Sequence, residues 1–88
     1  MYEHRAMLRG ILRALKPGGR LVLIEPAPRP VETTRETQMK AHRLAIDFAE
    51  QDLRDAGFDV TRRDDRFDTR MGDERDVVDW LIVARRPI

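Results

Sequence analysis

Two side chains combine proton-transfer chemistry with a telling position in the chain. Glu25 closes the apolar run Leu21-Val22-Leu23-Ile24 and opens a loop punctuated by Pro26, Pro28 and Pro30. In open α/β sheets, ligands sit beyond the C-terminal ends of the strands. A carboxylate there can orient or deprotonate a substrate, and the plainer alternative is an exposed acid that simply ends a strand. His42 falls within the series Met39, His42, Ile46, Ala49, Leu53 and Ala56, spaced by three or four residues. An imidazole titrates near neutral pH and suits general-base work. The plainer alternative is a packed histidine with one satisfied nitrogen. Asp79 interrupts the most apolar stretch of the chain, Val77 to Ala84. Burying it is costly unless it pairs, as with an Arg from the neighbouring strand, and the alternative is simple exposure on an uncovered face. Trp80 beside it reads as core.

Composition removes other chemistries. Without Cys there are no disulfides and no thiolate-ligated metal, and His4 and His42 are too few for most zinc sites. Basic and acidic residues number 17 and 16 and are interspersed along the chain, so the basic stripe of a nucleic-acid binder is missing. No apolar run approaches the ~20 residues that cross a bilayer, and the N-terminus carries no apolar signal segment. The expectation is a soluble, cytoplasmic protein with neither a nucleic-acid nor a membrane partner. Eighty-eight residues make one small domain with a thin margin of stability.

The elements that must position these residues follow from periodicity. Met7, Leu8, Ile11, Leu12 and Leu15 trace one helical face from about Glu3 to Leu15, and Lys16-Pro17-Gly18-Gly19 ends it in a type II turn. Leu21 to Ile24 is a continuous apolar run, expected of a strand covered on both faces. Thr33 or Thr34 caps a second helix expected to reach Ala56, with Gly57 as its left-handed cap. Phe58-Asp59-Val60-Thr61 alternates as a strand. The charge-dense stretch from Arg62 to Asp76 reads as a loop or the ragged arm of a hairpin, and Val77 to Ala84 as the last strand. The first strand, long helix and second strand form a parallel crossover. The last strand is the most apolar and belongs in the centre, because such a strand on an edge invites aggregation. The pattern therefore predicts a three-stranded mixed sheet with the last strand antiparallel and central, and two main helices.

This arrangement is similar to the closing section of the class I S-adenosylmethionine-dependent methyltransferase fold, and three fragments carry the resemblance. Arg13-Ala14-Leu15-Lys16-Pro17-Gly18-Gly19-Arg20-Leu21-Val22-Leu23-Ile24-Glu25-Pro26 resembles the helix end and Lys-Pro-Gly-Gly turn that enter the fifth strand of that family. Asp52-Leu53-Arg54-Asp55-Ala56-Gly57-Phe58-Asp59-Val60 resembles the helix end that opens its sixth strand with Ala-Gly-Phe. Trp80-Leu81-Ile82-Val83-Ala84-Arg85-Arg86 resembles its final strand. Each fragment alone is weak; their order and spacing across most of the chain are what make the pattern specific.

The resemblance implies that residues 1–88 are one partial domain, the C-terminal part of a Rossmann-like α/β methyltransferase. In that family a Gly-rich turn after the first strand and an acid ending the second hold the cofactor. Neither is found here, and Gly18-Gly19 precedes a strand rather than following one. S-adenosylmethionine is thus the cofactor of the full-length family, with none expected for this chain alone, which should be inactive by itself. The family's methyl acceptor would be a small molecule, with Glu25 and His42 as the candidate catalytic residues. The expected partner is the absent N-terminal half, or a second copy through self-association. The alternative is a non-catalytic α/β interaction module derived from the same fold.

Overall fold

The computed structural model describes residues 4–72 and 76–88 of the 88-residue chain. Six elements follow in order: α1 (His4–Ala14), β1 (Arg20–Pro26), α2 (Arg35–Lys40), α3 (Ile46–Ala56), β2 (Asp59–Arg70) and β3 (Val77–Arg85). The turn out of α1 forms as its residues require. Gly18 adopts φ +80° and Gly19 N–H donates to Lys16 O at 2.8 Å, which is type II geometry. Arg86, from the C-terminal tail, donates through Nη1 to the carbonyls of Leu12, Arg13 and Leu15 and so satisfies the end of α1.

The sheet order is β1-β3-β2, so the last strand is central and antiparallel to both neighbours. The expected mixed sheet is corrected by this order. β1 and β2 run in the same direction, but β3 lies between them and both ladders are antiparallel. The charged stretch after Thr61 forms the ragged arm of a hairpin. β2 continues through it to Arg70, with register shifts between Val60 and Arg62 and between Asp64 and Asp68. Residues 73–75 of that stretch lie outside the described residues.

The long second helix is also corrected: it is two helices. Thr34 caps α2 through a reciprocal pair of hydrogen bonds with Thr37, and α2 stops at Lys40. His42 then takes φ +56°, the left-handed region, and the chain re-enters a helix only at Ile46. Tertiary contacts override the periodicity here. Leu44 is buried in the break, and its carbonyl accepts the Trp80 indole N–H at 2.8 Å. The buried Gln38 amide ties the break together, donating to Glu32 O and accepting from Ala45 N–H, each at 3.0 Å. With two separate helices, α2 and α3, in place of one, the described chain has three helices rather than two.

The core lies on one side of the sheet. Leu8 of α1 and Ala49, Leu53 and Ala56 of α3 pack with Trp80, Ile82 and Ala84 of β3, and Leu21, Leu23 and Val60 border them. Gly57, at φ +110°, ends α3 and turns Phe58 into this core. The opposite face carries Val22 and Ile24, paired across the ladder with Val83 and Leu81. Val22 is 53% exposed and Ile24 50%. The expectation that the first strand is covered on both faces is therefore corrected. α1 and α3 serve one face, and the other is bare around β1 among the described residues.

Candidate functional site

The C-terminal end of β1 opens onto a cleft of about 950 Å³. Its position follows from the prolines. Ala27 N–H still donates to Val78 O at 2.8 Å, and beyond it Pro28 and Pro30 hold the chain out of regular structure. Pro26, Pro28, Val31, Val77 and Val78 give the cleft an apolar wall. Three arginines, Arg29, Arg43 and Arg70, and one acid, Asp76, are the charged residues among the described part of the lining.

Two of these arginines are held from behind by carboxylates. Arg43 donates through Nε to Glu32 Oε1 at 3.0 Å and through Nη2 to Oε2 at 2.9 Å. Arg29 N–H adds a 2.7 Å bond to Glu32 Oε1. The Arg43 hydrogen bonds, followed by that backbone bond, lower the Glu32 pKa to about 2. Arg70 makes the same bidentate fork on Asp79, at 3.0 and 2.9 Å. The fork holds Asp79 below its ordinary carboxylate range and raises Arg70 above the usual guanidinium value. Glu32 and Asp79 are nearly covered and lie outside the cleft lining. Arg43 and Arg70 therefore line the cleft while the carboxylates that hold them do not.

Glu25 and His42 sit differently. Glu25 is half-buried on the helix-covered face of β1, opposite Trp80, one residue short of the cleft wall at Pro26. His42 is exposed in the α2–α3 break, not on a buried helical stripe. The stripe had counted it by spacing alone, and the break removes the helix that spacing assumed. Neither residue lines the cleft. Of the two outcomes open to Asp79, pairing and exposure, the structure has the pair: Asp79 is buried and bound to Arg70 of β2. The arginines were missed because their neighbours in sequence are as charged as they are. Only the fold separates those that line a cleft from those on open surface. The one available signal was an acid in the last strand that needed a basic partner across the hairpin.

A third carboxylate serves the scaffold. Asp52 is fully buried and accepts from Arg5 Nε at 3.1 Å and from Arg35 Nη2, tying α1, α2 and α3 together. Arg35 also lies over the Phe48 ring, 5.5 Å from its centroid. The paired glycines have no amide to offer a ligand, since Gly18 N–H goes to Arg86 O at 2.9 Å and Gly19 N–H to Lys16 O. Among the described residues no group of three or more His, Asp or Glu could hold a metal ion, and no helix is long and apolar enough to cross a membrane. No protein-family model matches the chain, and no curated protein or solved structure is significantly similar to it.

Proposed function

We propose that this chain is the C-terminal portion of a class I S-adenosylmethionine-dependent methyltransferase, supplying one wall of a small-molecule acceptor pocket and docking against the half that holds the cofactor. The observation that carries this reading is the sheet. The last strand is central and antiparallel to both neighbours, in the order β1-β3-β2, while among the described residues β1 is left with a bare face and an unpaired edge. That edge is chemically open. Ala27 N–H and Gly19 O bond toward β3, so by antiparallel alternation Arg20, Val22 and Ile24 aim their own N–H and C=O groups away from it. A further strand on that edge, and apolar surface on that face, would complete an open α/β sheet.

The described residues do not fit the cofactor. The Gly18-Gly19 turn precedes β1 and its amides are consumed by backbone bonds, so no cradle for S-adenosylmethionine is built from them. Methyl transfer to a nucleophile is a direct displacement, in which the protein aligns the acceptor and removes its proton. Within the proposal, Glu25 at the end of β1 orients or deprotonates the acceptor. His42, exposed in the α2–α3 break next to the cleft-lining Arg43, is the second candidate for that role.

Calorimetric titration of S-adenosylmethionine tests the reading, with circular dichroism to establish that the chain is folded. The 88-residue chain should give no binding heat, and joining it to the in-frame region encoded upstream should give 1:1 binding. Micromolar binding by the 88 residues alone would overturn the placement of the cofactor outside this chain. An upstream region that encodes no strand, Gly-x-Gly turn and helix would leave a non-catalytic interaction module as the surviving reading.

A further inference from the structure

We propose that the cleft beyond β1 binds a small amphipathic organic acid, its anionic head on Arg29, Arg43 and Arg70 and its apolar body on the proline and valine wall. Calling that acid the methyl acceptor rests on the reading above; the binding does not. The two forks leave a defined donor surface. Arg43 and Arg70 each spend Nε and Nη2 on their carboxylates, so each Nη1 amino group is left to a ligand. A guanidinium fixed by a covered carboxylate has already lost most of its rotamer freedom, so a ligand it binds meets a pre-organised donor. Among the described residues the Arg29 guanidinium makes neither a hydrogen bond nor an ion pair, and Arg29 is an exposed residue of the cleft lining. Asp76 is the one acid among the described lining residues, against three arginines.

The apolar half of the lining selects the ligand's body. Pro26, Pro28, Val77 and Val78 offer no hydrogen-bonding side chain. An inorganic anion would leave that surface wet, whereas an aryl or alkyl group bonded to the acid covers it. The head is recognised by charge and by planar, forked N–H geometry, which suits a carboxylate.

The test is a titration of the 15N-labelled 88-residue chain with benzoate at neutral pH, followed by amide chemical shifts. Saturable shifts are expected at Ala27, Arg29, Val31 and Val78. Arg29→Gln should weaken binding about tenfold, roughly what one charged hydrogen bond contributes, with the circular dichroism unchanged. Benzyl alcohol carries the same body without the charge, and inorganic phosphate the charge without the body. Each should bind at least about tenfold more weakly than benzoate. The proposal is overturned by benzoate that moves no cleft amide, by an Arg29→Gln variant of unchanged affinity, or by either control matching benzoate. The two readings fail separately. A chain that binds benzoate, but whose upstream-extended form ignores S-adenosylmethionine, keeps the acid site and loses the methyltransferase. The opposite pair of results keeps the enzyme and removes this acceptor class.

Discussion

The carboxylates of this chain divide by what surrounds them, and the division is visible in how they titrate. Glu32 accepts three hydrogen bonds, two from the Arg43 fork and one from Arg29 N–H, and its pKa falls from 4.5 to about 2. Folding therefore favours the ionised form. The stability this contributes is fully present above the unfolded value near 4.5 and is lost as pH falls through about 2. Asp79 and Glu50, whose pKa values are lowered by Arg70 and by Arg63 with Arg54, shift stability in the same direction. Urea midpoints measured between pH 6 and pH 2.5 should fall steadily below about pH 4.5, and Glu32→Gln should fall less steeply because it has no proton to take up. Equal pH slopes for the two proteins would show that the Glu32–Arg43 fork contributes nothing to folding. Asp52 is bound by Arg5 and Arg35 and is not among the residues that line the cleft, so its pairing serves helix docking.

At the scale of elements, the break between α2 and α3 decides what the cleft contains. Arg43 reaches Glu32 from the residue after His42, so a continuous helix through this region would have aimed it elsewhere. Gln38 holds the break with two hydrogen bonds made from a side chain only 5% exposed. Gln38→Leu keeps the volume but strands Glu32 O and Ala45 N–H, and it should cost about 2 kcal/mol in chemical denaturation. It should also loosen the Arg43–Glu32 fork, seen as a weaker acid dependence. A loss below about 0.5 kcal/mol would mean that Leu44 and the Trp80 indole hold the break without it. The contrast with what the sequence disclosed is physical. Gly18, Gly57 and the Pro17 turn were legible because their backbone demands are local, and the central position of β3 because apolar strands shun edges. The break was not legible, because 3.6-residue spacing continues straight through it and the forces that interrupt it, Leu44 burial and the Trp80 bond, come from residues far along the chain. The arginine cleft was not legible either, because β2 brings Arg70 opposite Val77, diagonal to Asp79, only through two register shifts that no periodicity announces.

Across the whole molecule, the two edges of the sheet are treated unequally. β2 presents Arg62, Asp64, Asp65, Arg66 and Asp68, charged side chains that discourage another strand from pairing there. β1 presents Val22 and Ile24, half-exposed, with backbone groups aimed outward and no lysine among its residues. The same two side chains form the bare face with Val83 and Leu81, and Leu81 is buried outside the core formed with the helices. One surface therefore combines an open backbone edge with apolar side chains, the pairing that drives strand addition. In the absence of a partner the 88-residue chain should self-associate through β1, with an average mass in sedimentation equilibrium that rises with concentration. Ile24→Lys, on the exposed half of a strand, should hold the monomer while leaving the circular dichroism and the denaturation midpoint nearly unchanged, because about half of that side chain already meets water. Lysine on the charged edge, at Thr69 of β2, is the control and should leave the association as it was. A wild-type chain that stays monomeric at high concentration would show that the bare face is stable in water, and the case for a covering half would lose its main physical support.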